Sequence, residues 1–257
     1  MSKSNHLICN LAIGIIPLLA LSVLIPAAAA SEALTIEVSA GRYQIVDKGT
    51  EQMIKMEGFG NLMVPGKPML PSKSYLIALP PGARVQSVEV KGIGAEQLPG
   101  DYRIVPCPPI LPLADAPQYR ELLDELRREW QENNQTVYTT DQAYPGVAGK
   151  LKSSGTLRKY SYISVSFYPF SYYPQSGRLV HYRAAQINIS YDLPSPGTAE
   201  ARQVEESKWD NLADNRASRL FVNFEEVSQT YQPASPRPIG STQTHDYLII
   251  TTSALQS

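Results

Sequence analysis

The sequence predicts a mainly β protein: an antiparallel β-sandwich or jelly-roll with one helix, then a linker and the first strand of a truncated α/β domain. Three observations carry this reading. Short stretches between Leu34 and Tyr191 alternate apolar and polar residues with period two, the mark of half-buried strands. A composition of 21 Pro and 15 Tyr against 5 Phe and 2 Trp fits strands joined by stiff turns better than a helical bundle. The chain closes on Tyr247-Leu-Ile-Ile-Thr251, a continuous apolar and β-branched run of the kind buried on both faces in a parallel sheet.

In chain order, the first element is an export signal. Lys3 is the one charge before the apolar stretch from Leu7 to Ile25, which leaves through Pro26 and four alanines. Small side chains at Ala28 and Ala30 suit a signal peptidase cutting after Ala30, so residues 1–30 are the expected signal peptide. An uncleaved membrane anchor is the alternative, because the run approaches spanning length; Gly14, Pro17 and the alanine exit favour cleavage. Either way the remainder is expected outside the cytoplasm, secreted as an extracellular, periplasmic or cell-surface protein, with no membrane contact after cleavage.

The body, residues 31–231, is expected to be the sandwich. Leu34-Thr-Ile-Glu-Val38 and Arg42-Tyr-Gln-Ile-Val46 alternate, and Ser74 to Leu79 runs into a Pro80-Pro-Gly82 turn from which Val85 to Val90 returns. Leu157 to Phe167 places Ile163, Val165 and Phe167 on one face and Tyr160, Tyr162, Ser164 and Ser166 on the other. Arg178 to Tyr191 follows a turn at Pro174-Gln-Ser-Gly177, so these two long strands read as a hairpin. The single helix starts near Asp115 as cap and Pro117 in the first turn, with Leu122, Leu126 and Trp130 on one face and ion pairs expected from Arg120 to Asp124 to Arg128. Residues 232–244, rich in Pro, Ser and Gly, read as an extended tether, and 245–257 as the start of the next domain.

Function classes are mostly excluded. Net charge is −1 with both signs intermixed, which gives no electrostatic argument for nucleic acid. Of two cysteines Cys9 leaves with the signal, so no disulfide framework remains. Cys107, in a stiff Val-Pro-Cys-Pro-Pro segment without a nearby His in sequence, reads as a buried small residue and not as a nucleophile. His181 and His245 have no metal-ligand spacing, and there is no Gly-x-Ser-x-Gly elbow. Gly146-Val-Ala-Gly-Lys150 lacks the Ser or Thr and the spacing of a phosphate loop and reads as an ordinary loop. Asn134-Gln-Thr136 and Asn188-Ile-Ser190 match a glycosylation sequon too common to use. No catalytic residue and no cofactor follow from the sequence.

Met56-Glu-Gly-Phe-Gly60, Val64-Pro-Gly-Lys-Pro-Met-Leu-Pro71 and Ile77-Ala-Leu-Pro-Pro-Gly82 resemble the N-terminal pro-region of gingipain-type cysteine peptidases. The likeness continues through Tyr144-Pro145, Phe167-Tyr-Pro-Phe170 and the strand to Tyr191, and Asp246 to Thr251 resembles the first strand of that family's catalytic domain. The resemblance implies a pro-domain that inhibits a cognate cysteine peptidase catalytic domain, in cis or in trans, and helps it fold. The family's Cys nucleophile and His base would lie downstream of Ser257, so this chain carries no catalytic pair. Relatives cleaving after Arg or Lys imply a basic inhibitory side chain; Lys150, Lys152 and Arg158, in or beside a Gly/Ser-rich stretch read as a loop, are the candidates. Arg237 is the candidate maturation site. The competing reading is a stand-alone secreted inhibitor, adhesion or binding module.

Overall fold

The period-two pattern resolves into two facing sheets in the computed structural model, which describes residues 32–110 and 119–234. The signal segment with Ala30, the helix start at Asp115 and Pro117, Arg237, His245 and the terminal strand lie outside the described residues.

The first sheet is organised on one long strand, β10 (Arg178–Asp192). β6 (Arg84–Gln97) covers one of its edges, while β1 (Glu32–Ser39) and the short β9 (Phe170–Tyr173) follow one another along the other, all antiparallel. Register fixes which side chains face inward: Ile36 lies opposite Ile187, which lies opposite Val90. A one-residue slip would turn each of these to solvent, so the apolar pattern specifies the pairing. The second sheet runs β4 (Gly60–Asn61), β5 (Pro71–Ala78), β8 (Tyr160–Phe167), β7 (Gly149–Leu157). Its inner side chains Tyr75, Ile77, Ile163, Val165 and Phe167 meet Ile36, Val38, Ile187, Ile189 and Tyr191 in one core. Ile163 and Ile187 are fully buried, each contributing about 1.5–3 kcal/mol from the transfer of its side chain out of water.

A hairpin, β2 (Tyr43–Lys48) and β3 (Glu51–Met56), closes one end over a second cluster. Ile54, Leu70, Ile104, Phe170, Tyr172 and Leu179 are buried there. His181 sits at its margin between the Tyr43 and Phe170 rings, and burial lowers its pKa.

The predicted helix is α1 (Arg120–Tyr138), which continues two turns beyond Trp130. It buries no residue completely and is held from its C-terminal half. Trp130 Nε1 donates to the Cys107 carbonyl at 2.7 Å, Asn134 Nδ2 donates to the Gly66 carbonyl at 3.3 Å, and the Tyr138 hydroxyl donates to the Ile104 carbonyl. Gly66 is required at this contact: its φ is +80°, and a Cβ there would lie 2.3 Å from the Trp130 carbonyl oxygen. Leu122 is exposed, and Asp124 pairs with Arg127 where the sequence pattern suggested Arg120 and Arg128. Spacings of three and four both bring side chains together on a helix; Arg128 pairs instead with Glu132, at i,i+4.

Three expectations are corrected. The turn at residues 174–177 does make a hairpin with β10, but its other arm is the four-residue β9; β8 crosses into the opposite sheet at residues 168–169. Likewise β5 and β6, expected to return on each other at Pro80-Pro-Gly82, belong to different sheets. The body is also not strand to its end. Beyond the one expected helix stand α2 (Ala199–Ser207), α3 (Asp214–Leu220), α4 (Phe224–Ser228) and a 3-10 turn Gln229–Tyr231. The last three of these cover the outer face of the second sheet, where Ala217, Phe221, Val227 and Tyr231 pack on Tyr160 and Ala78. These apolar positions are too few and too short-ranged to show a helical period in sequence.

Two polar side chains fix that cover. Asn223 Oδ1 accepts from the Ala78 N–H and its Nδ2 donates to the Ala78 carbonyl, both at 2.9 Å and buried. The Tyr231 hydroxyl donates to the Leu79 carbonyl at 2.8 Å and accepts from the Ser161 N–H at 3.0 Å. Replacing Asn223 by Ala leaves both backbone groups of Ala78 without a partner in an apolar setting. Asn223→Ala is expected to destabilise by about 2–4 kcal/mol in urea unfolding; a loss under about 0.5 kcal/mol would mean water takes over both bonds.

Candidate functional site

The three candidate cations lie on one β-hairpin, formed by β7 and β8. The stretch expected to be a loop is instead a strand: Lys150 pairs with Ser166 and Leu151 with Val165, Ser153 pairs with Ser164, and the irregularity between them makes Lys152 an extra residue. A Lys-Ser-Ser-Gly-Thr composition reads as loop because neither face is apolar. An edge strand with little to bury needs only a paired neighbour, and β8 supplies it. Gly149 and Lys150 begin this strand, with no helix following, so the cradle geometry of a phosphate loop is absent here.

Lys150 and Lys152 are exposed and have no ion-pair partner among the described residues. Arg158 differs. It forms the hairpin turn at φ 53°, a conformation uncommon for a side chain other than Gly. Its Nε donates to Asp210 Oδ2 at 2.6 Å. Beside it Lys159, with 3% of its side chain exposed, places Nζ 2.8 Å from Asn211 Oδ1 and 3.0 Å from Asp214 Oδ1. The Tyr160 hydroxyl donates to the same Asp214 oxygen at 2.8 Å. The hairpin tip is thus tied through three consecutive residues to the segment between α2 and α3 and to the first residue of α3. Lys159 and its carboxylate partner do not stand out in the sequence; a charged Arg-Lys pair at a turn looks like any solvated loop.

The Cys107 thiol is 1% exposed and burial raises its pKa, the opposite of what a thiolate nucleophile needs. Among the described residues no group of three or more His, Cys, Asp or Glu side chains is placed to hold a metal ion. What the arrangement offers is a rigid surface: an edge strand with two free cations, ending in a tip that is locked from behind.

The family model Propeptide_C25 matches residues 25–231. The chain belongs to this family, the gingipain propeptides. The propeptide fold is similar to that in the solved complex of Porphyromonas gingivalis RgpB pro- and mature domains. The two are 17% identical with a TM-score of 0.51, over 75% of this chain and 93% of that one. A second solved structure, on the zymogenic latency of gingipain K from Porphyromonas gingivalis, is 18% identical with a TM-score of 0.45, over 66% of this chain and 97% of that one. No curated protein matches. The body of this propeptide is therefore a pro-domain with a mainly antiparallel β fold.

The lock at the hairpin tip has a pH signature. Burial pushes the Asp210 carboxyl up, but the Arg158 guanidinium, the Leu212 N–H and the nearby Lys159 outweigh it and hold the carboxyl below its ordinary range. A carboxylate held down in the folded state adds stability that is complete above the ordinary aspartate pKa of about 3.9. That stability is lost as pH falls through the lower folded value. Arg158→Gln is expected to flatten the acid limb of stability below about pH 4, read as urea midpoints across an acid pH series. An unchanged limb would mean that the ion pair is fully screened.

Proposed function

We propose that this pro-domain inhibits, and assists the folding of, a gingipain-type cysteine peptidase catalytic domain that follows it in the same polypeptide. The match of residues 25–231 to a propeptide family carries the reading, and the RgpB complex, composed of pro- and mature domains, supports the kind of partner. In this scheme residues 1–30 direct export and are removed after Ala30, residues 31–231 form the inhibitory body, residues 232–244 are the tether cut at Arg237, and residues 245–257 open the catalytic domain. The protein acts outside the cytoplasm and needs no cofactor.

A pro-domain of this kind works by occupancy. A rigid scaffold loses little conformational freedom on docking, so more of its contact energy appears as affinity. If the catalytic cleft has an acidic specificity pocket, Lys150 or Lys152 is the side chain to fill it, because each can leave solvent without abandoning a partner. Arg158 would have to give up Asp210 first, and it serves the scaffold instead.

The test uses the body supplied in trans to the downstream catalytic domain or a close relative. Residues 31–234 should inhibit with one-to-one stoichiometry. One of Lys150→Ala and Lys152→Ala should weaken inhibition by about 2–5 kcal/mol by stranding a buried carboxylate, while the other costs little. Arg158→Ala should act mainly on stability. If neither lysine matters, the block is steric. If a correctly folded body fails to inhibit at all, the pro-domain acts otherwise and a binding role stands in its place.

A further inference from the structure

β6 and β7 are each a terminal strand, one of either sheet, and they lie on the same side of the sandwich. At one end they touch: a Cβ added to Gly149 of β7 would lie 2.7 Å from Val90 Cγ1 of β6. Toward the start of β6 they diverge and leave a cavity of about 520 Å³. Val85 and Val88 line it from β6, Leu151 from β7, and Leu79 and Tyr162 from behind. This volume falls among those of sites that hold a ligand, about 300–1,000 Å³. Gln86, Ser87, Ser154 and Thr156 also line it, so the slot has one apolar wall and a polar rim, and β6 bounds it with an edge that has no neighbouring strand among the described residues.

The end of the described chain lies beside it. Tyr231 bonds to Leu79 and Ser161, both of which line the slot. Ala234 N–H donates to Glu205 on α2, and the same helix reaches Arg84 at the slot's mouth through Glu200, 2.7 Å away. From Ala234 the sequence runs thirteen residues to Tyr247, an extended reach of roughly 43–47 Å. That is the length of the whole of β6 at about 3.3 Å per residue.

We propose that residues 247–251, Tyr-Leu-Ile-Ile-Thr, add as a strand to the free edge of β6 and set Leu248 and Ile250 into the slot. The segment is uncharged and β-branched, and its alternate side chains match a cavity with one apolar wall. A second copy pairing β6 to β6 is the other occupant such an edge would accept, and concentration dependence separates the two. This inference rests on the pro-domain reading and gives its folding assistance a physical form. The body shelters the first buried strand of the next domain until that strand's own neighbours exist.

Hydrogen–deuterium exchange on the 31–257 chain tests it. Amides 248–250 should exchange at least about tenfold more slowly than in a free peptide of the same sequence, independently of protein concentration. Leu151→Asp, at a position 42% exposed and so tolerant of change, should abolish that protection while β10 stays protected. Leu248→Asp, which leaves the body untouched, should expose the amides within 84–88 that point away from β10. Exchange of 248–250 at the free-peptide rate in the parent chain overturns the proposal, and protection that rises with concentration replaces it with a second copy. Inhibition by residues 31–234, which lack the segment, reports on the pro-domain reading separately. Inhibition without protection removes only the strand-sheltering idea, and protection without inhibition removes only the other.

Discussion

β10 has both edges occupied, and most of the architecture follows from that. Once β6 has taken one edge and β1 and β9 have divided the other, no position remains for β8 beside it, even though the two are close in sequence. β8 must pair elsewhere, and the apolar face of Ile163, Val165 and Phe167 finds its complement only by stacking across the core. The crossing of the chain from one sheet to the other is therefore a consequence of edge saturation. A strand with a free edge is exposed to unwanted pairing, and among the described residues β1, β6 and β7 each pair on one side alone.

The outer face of the second sheet presents a different problem. Ala78, Tyr160 and Tyr162 project away from the sandwich core and would meet water if nothing covered them. Three very short helical pieces do so, none long enough to be stable alone. Their position is set by side chains that bond to strand backbone: Asn223 to Ala78, Tyr231 to Leu79 and Ser161. The Arg158–Asp210 and Lys159–Asp214 pairs extend the same tie to the hairpin tip. An exposed ion pair alone contributes little, but Lys159 is buried beneath its partners, so the tip and the helical cover are expected to loosen together.

How much of this was legible in the sequence depended on burial. Where one face is apolar and the other polar, as in Ile187, Ile189 and Tyr191 against Gln186, Asn188 and Ser190, alternation disclosed both the strand and its inward face. β7 escapes such a reading because nothing on it is deeply buried, and a Ser/Gly/Lys strand has the composition of a loop. Pairing partners were harder still. The Pro174 to Gly177 turn correctly announced a hairpin, but turn chemistry names only the adjacent arm, and β9 is too short to show a period. The locked Lys159 had no signal of its own, since its burial is created by residues far along the chain, Asn211 and Asp214. The family, by contrast, was legible in runs of Gly and Pro whose meaning is conformational: Gly66 and Gly82 both adopt positive φ.

The tyrosines, 15 against 5 phenylalanines, include a group whose chemistry differs from simple aromatic packing. Tyr138, Tyr160, Tyr172 and Tyr231 point their hydroxyls inward at backbone carbonyls or a carboxylate, and burial raises the pKa of each, that of Tyr231 to about 12. Neutral in the folded chain well above the ordinary tyrosine value of about 10, they add stability that is whole below that value. It fades only as pH climbs through the raised ones. Phenylalanine in their place would fill the same volume and leave the carbonyls of Ile104, Tyr102 and Leu79 without those donors. The choice of tyrosine thus turns aromatic packing into a set of hydroxyl rivets, each fastening a loop or helix end to the sandwich, and makes strong alkali the solvent in which they would be drawn together.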